Sequence, residues 1–127
     1  MSARLFEMIL SRKGHFQVAV SDNPDEIVTR VRSGGIDLIV MDVSLGDATY
    51  EGSPIDGVGI TRLLKEDGTT RSIPVVLATA HAMRGDRERL LAESGAEGYI
   101  AKPILDHDAF LDLVNSLVRN GVAEHSS

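Results

Sequence analysis

The chain has 127 residues, 43% of them hydrophobic and 25% charged, enough for one domain with a core of its own. Its formal net charge of −6 argues against a general binder of nucleic-acid phosphates, which needs a basic face. It has no cysteine, so disulfides, thiolate zinc sites and thiol nucleophiles are excluded. No apolar stretch reaches membrane-spanning length and no signal-peptide layout opens the chain, so a cytoplasmic protein is the expectation.

In chain order, helical and strand patterns alternate. Ala3 to Lys13 carries Leu5, Phe6, Ile9 and Leu10 at helical spacing, and Gly14 stops it. Phe16, Val18 and Val20 alternate with polar or small residues, which predicts a short strand. Asn23-Pro24-Asp25-Glu26 reads as a helix start, with Ile27, Val28 and Val31 on its inner face and Gly34-Gly35 at its end. Ile36 to Asp42 follows, apolar from Leu38 to Met41, as in a strand buried on both faces of a parallel sheet. A long loop, Val43–Asp56, precedes a helix marked by Ile60, Leu63 and Leu64 and closed by Asp67-Gly68. Ile73 to Thr79 reads as a second buried strand, with Pro74 tolerated near its start. Arg84 to Ser94 reads as a charged helix, and Gly98 to Ala101 as a short strand running into Lys102-Pro103. Phe110, Leu111, Val114, Leu117 and Val118 give a final amphipathic helix. One domain over 1–121 with a flexible tail over 122–127 is the expected organisation.

Regular alternation of strands and helices predicts a parallel sheet covered on both faces. The carboxyl ends of its strands then share one edge, where ligands gather in open α/β sheets. Asp42, Thr79 and Lys102 all fall on that edge. An acid, a hydroxyl and an ammonium together suit phosphoryl handling: the carboxylate attacks phosphorus, and the other two bond the transferred oxygens. Taken singly, each has a bland reading. Asp42 could open a loop, Thr79 could bond local backbone, and Lys102 could neutralise Asp42 as a structural pair. A flavin binder is disfavoured, because no Ser/Thr/Gly-rich phosphate loop or Gly-x-x-x-x-Gly-Lys is present.

The run Asp-Leu-Ile-Val-Met-Asp through Asp42, Asp56-Gly57, Ile-Pro-Val-Val-Leu-Ala-Thr-Ala-His-Ala-Met through Met83, and Gly-Tyr-Ile-Ala-Lys-Pro through Pro103 resembles the receiver domains of two-component response regulators. Thr79 to Asp86 is most similar to single-domain receivers of the cell-cycle and phosphorelay type. The resemblance implies a flavodoxin-like, doubly wound parallel sheet of strand order 2-1-3-4-5. It implies that Asp42 accepts a phosphoryl group from a histidine kinase or phosphotransfer protein, with Thr79 and Lys102 on the phosphoryl oxygens. It also implies a cis peptide at Lys102-Pro103, an aromatic switch at Tyr99, and tuning of phosphoryl lifetime by Ser44 and His81. For Tyr99 the alternative is a half-buried strand aromatic with its hydroxyl at the surface, and for His81 a solvent-facing residue at a helix entrance. Such a domain is not an enzyme in its own right beyond self-catalysed transfer and autodephosphorylation. It signals by docking a downstream protein near Tyr99, the Arg84–Ser94 helix and the final helix. The competing reading is a pseudo-receiver that binds partners without phosphate.

Two departures stand out. In the family, a first strand ending in two Mg²⁺-binding acids precedes the first helix, whereas this chain opens inside that helix. Glu7 is its only acid before Asp22. Asp42 and the Ser44 carbonyl alone make a poor octahedral Mg²⁺ site. The expectation is therefore a recorded start internal to a longer product, or a rearranged or strand-sharing dimeric sheet. The second departure is the Val43–Asp56 loop, about seven residues longer than the family's. It holds Asp47, Glu51 and Asp56, and reads either as a solvated polar loop or as one that contacts a partner or screens Asp42 from water.

Overall fold

The computed structural model describes residues 6–44, 47–80, 85–102 and 104–126, with side chains as far as 118. Helix α1 is α-helical at 6–8 and π-helical over Ile9–Lys13, where the Gly14 N–H donates to the Ile9 carbonyl at 3.1 Å. Helix α2 spans Pro24–Arg32. The Asn23 side-chain oxygen caps it, accepting from the Asp25 and Glu26 N–H groups at 3.0 and 3.3 Å, while Pro24 occupies the first turn, where an N–H is not needed.

Strands β1 (Ile39–Asp42), β4 (Val75–Thr79) and β5 (Gly98–Ala101) form a parallel sheet in the order β1-β4-β5. All five residues of β4 are buried, as its central place requires. The order agrees with the last three strands of the expected sheet. Strands β1 and β4 begin two to three residues later than the apolar runs suggest, whereas β5 starts at Gly98 as expected. Pro74, just before β4, uses its carbonyl to accept the Ile39 N–H at 2.9 Å.

The expected strand at Phe16–Val20 is not formed. Residues 15–20 belong to no ladder, although Phe16 and Val18 still pack against the core. Alternating apolar residues dictate which side chains turn inward, but a strand also needs a neighbour's backbone. Among the described residues, β1 pairs only with β4. The Ile39 and Val43 N–H groups point at β4, so the backbone groups of Val40 between them face the other way, toward the side that no described strand pairs.

Helices cover both faces of the sheet. On one side Phe6, Ile9 and Leu10 of the first helix meet Ala78, Ile104 and the final helix's Phe110, Leu111 and Val114. Phe6 and Phe110 stack at a tilt, with ring centroids 5.4 Å apart. On the other side Val28, Val31, Ile60, Leu64 and Leu90 pack over Met41, Val75 and Leu77. These residues come from α2, α3 (Gly57–Glu66) and α4 (Asp86–Ser94). Helix α5 spans His107–Ser126, so helical backbone continues past Gly121, where a tail was expected.

Within the long loop after β1, Thr49–Tyr50 (β2) and Ser53–Pro54 (β3) pair as a small antiparallel hairpin. Its two turn residues, Glu51 and Gly52, both have positive φ, 52° and 83°, as a type I′ hairpin turn requires. Tyr50 and Ile55 pack against the α2 to α4 core, so the insertion is anchored.

Candidate functional site

Asp42 and Thr79 are the last residues of β1 and β4, and Lys102 immediately follows β5. The ladders set Asp42 opposite Ala78 and Thr79 opposite Ala101, so the three reach the same edge at nearly the same height. The Lys102 N–H continues the ladder by donating to the Thr79 carbonyl at 2.8 Å. Its ammonium donates to Asp42 Oδ2 at 2.7 Å, with 14% of the lysine side chain and 34% of the aspartate side chain exposed. Asp42 Oδ1 accepts the Ser44 N–H at 3.1 Å. Thr79 is buried.

These residues line a cavity of about 410 Å³, together with Val43, Ser44, Ala80, Asp86, Arg89 and Leu90. Its far wall is α4. Helix α3 starts against the floor of the site: the Gly57 N–H donates to the Val43 carbonyl at 2.9 Å, and a Cβ on Gly57 would overlap the Asp42 carbonyl oxygen. Asp56 caps that helix, accepting the Gly59 N–H at 2.8 Å. The pair Asp56-Gly57 is thus a cap and a close approach, both serving to seat Asp42.

Tyr99 lies off the cavity, packed into the α2 to α4 core. Its hydroxyl oxygen is buried with no hydrogen-bond partner among the described residues, which sets aside the alternative of a surface hydroxyl. Burial, and then the Asp86 carboxylate, raise its pKa above the ordinary 10.0. Ser44 is exposed at the cavity mouth. His81, Pro103 and Arg84 lie outside the described residues, so the tuning position, the cis peptide and the first residue of the Arg84–Ser94 helix are not seen. Of the described loop residues, Val43 and Ser44 alone line the cavity. Asp86 and Arg89 are cavity residues that the sequence reading missed. Only their spacing of three, which puts both on one face of a helix, hints at it.

A profile of the response regulator receiver domain matches residues 1–115. The chain belongs to the response regulator receiver family. The polar-differentiation response regulator DivK of Brucella anthropi is 35% identical over 104 residues, covering 82% of this chain and 77% of that protein. Among solved structures, the receiver domain of a signal transduction histidine kinase from Syntrophus aciditrophicus superposes with a TM-score of 0.72 at 28% identity, covering 93% of this chain and 82% of that one. The receiver domain of a sensor histidine kinase from Pseudomonas aeruginosa PAO1 does so with a TM-score of 0.73 at 24% identity, covering 92% and 88%. That relative carries a magnesium ion coordinated in its active site cleft.

In the present receiver the described residues do not fit such an ion. Asp42 gives one oxygen to Lys102 and the other to the Ser44 N–H, and the second cavity carboxylate, Asp86, is bridged to Arg89 at 3.0 Å. No group of three or more metal-binding side chains occurs among the described residues. Mg²⁺ needs near-octahedral oxygen ligation, and here two organic cations stand against the carboxylates it would use. Receiver domains are signalling domains rather than classical enzymes, and they act with histidine kinases and downstream partners. None of the described helices is long and apolar enough to cross a membrane.

Proposed function

We propose that Asp42 accepts a phosphoryl group from a phosphohistidine on a histidine kinase or phosphotransfer protein. One observation carries the reading: the Asp42 carboxylate is held at 2.7 Å by the Lys102 ammonium, beside the Thr79 strand end, and faces a cavity large enough for a phosphoryl group. An Asp42 oxygen forms the new oxygen–phosphorus bond as the donor's nitrogen–phosphorus bond breaks, and that bond's electron pair leaves with the imidazole. Lys102 keeps the carboxylate ionised and in place, then shares its charge with the transferred oxygens. Thr79 stands where its hydroxyl can donate to one of them. Ser44 and His81 flank the acyl phosphate, and Tyr99 couples the site to a docking face formed with α4 and α5.

The domain then works in the cytoplasm as a single receiver over 1–121, and its output is protein docking. The side of β1 that no described strand pairs supports a strand-sharing dimer as its assembly. Incubation with a small acyl phosphate and excess Mg²⁺ should add one phosphoryl group, visible by intact mass and lost in Asp42→Asn. Labelling that survives the substitution would overturn the reading and favour a pseudo-receiver that works by binding alone.

A further inference from the structure

We propose that Arg89 senses the phosphoryl group on Asp42, leaving Asp86 to take up a phosphoryl oxygen and so carrying the state of the site to the outer face of α4. This rests on the reading of Asp42 as the phosphoacceptor.

Arg89 and Lys102 are the two cations among the described residues lining the cavity. Lys102 is already engaged with the charge of Asp42 itself. A phosphoryl group brings roughly −1.5 to −2 further charge and three acceptor oxygens, which one ammonium cannot satisfy. The guanidinium is a planar fork suited to phosphate oxygens, and it stands on the opposite wall.

Its present partners hold it loosely. Arg89 Nη2 meets Asp86 Oδ1 at 3.0 Å and Nη1 meets Glu93 Oε1 at 3.8 Å, with the arginine side chain 57% exposed. Pairs at three- and four-residue spacing on one helix contribute little when the arginine end is more than half exposed, even with Asp86 at 20%, so a dianion in the same cavity outcompetes them. Asp86 lines that cavity too and is repelled by the new charge. Both effects act in the same direction. Once Arg89 turns inward, Glu93 loses its cation on a surface where its side chain is 50% exposed. The α4 face thus becomes more acidic when the site is charged.

The test uses the full chain with beryllium fluoride, a stable phosphoryl mimic, in excess Mg²⁺. The arginine Nε–Hε resonances are followed by NMR, with that of Arg89 assigned by its loss in Arg89→Gln. Saturation should shift the Arg89 resonance in the wild type and leave it unmoved in Asp42→Asn. Arg89→Gln should bind the mimic about threefold more weakly, whereas Asp86→Asn, by freeing Arg89 and removing the repulsion, should bind it more tightly. A merely structural ion pair would give both variants effects of the same sign. An Arg89 resonance that stays put while the Thr79 amide shifts would overturn the proposal and leave Asp42 as acceptor. If neither resonance moves, Asp42 is not the acceptor, and this inference falls with that reading.

Discussion

Tyr99 brings its hydroxyl into the core with no hydrogen-bond partner among the described residues, and a buried unmet hydroxyl is costly. Tyr99→Phe should therefore stabilise the fold, by about 1 kcal/mol, read from the urea midpoint. The phenol's pKa is raised in the folded state, so its contribution to stability is complete below pH 10.0 and is lost as the pH climbs through the raised value. Stability of the wild type should accordingly fall more steeply above that pH than stability of Tyr99→Phe. Lys102 has the opposite character, because its ammonium is matched to Asp42 at 2.7 Å. Lys102→Met leaves that carboxylate with the Ser44 N–H, and phosphoryl transfer should slow by about 10²-fold. Asp42, Thr79 and Lys102 were legible because they sit at the ends of apolar runs, where the chain itself marks a strand terminus. Asp86 and Arg89 were not, because nothing in the sequence of a polar helix says which side faces a cavity.

Among the elements, α3 is the one whose start the site depends on. The Gly57 α-carbon lies against the Asp42 carbonyl, and its N–H bonds the Val43 carbonyl. Gly57→Ala should cost about 1–3 kcal/mol and move the first turn of α3 away from β1, lowering phosphorylation as well as the urea midpoint. Asn23 and Asp56 announced their helices because capping chemistry is local, a matter of one side chain and the next few N–H groups. The hairpin at Thr49–Pro54 escaped notice since its strands are two residues each, too short for an alternating pattern, and its turn is Glu-Gly rather than Asn-Gly or Asp-Gly. Phe16–Val20 erred the other way: of its alternating Phe16, Val18 and Val20, the first two pack on the core while Val20 is exposed, and no single segment encodes its own hydrogen-bond partner.

At the scale of the molecule, the side of β1 that no described strand pairs is the feature with the largest consequence. Backbone groups of Val40 face away from β4 in a stretch whose side chains are half-buried, which is a template for another strand. Size-exclusion chromatography with light scattering should find a dimer for this 127-residue chain, and a monomer at all concentrations would count against strand sharing. The cavity carboxylates are already engaged by organic cations, so calorimetry should show Mg²⁺ binding weaker than in receivers with a full acidic site. Tight one-to-one binding would point to ligands outside the described residues. The central claim is that Asp42 carries the phosphoryl group. Borohydride reduces an acyl phosphate of aspartate to homoserine, so peptide mass spectrometry of the phosphorylated and reduced protein names the residue. The account predicts homoserine at position 42 and at no other aspartate. Homoserine elsewhere, or none after a phosphoryl group has been shown to add, would contradict it.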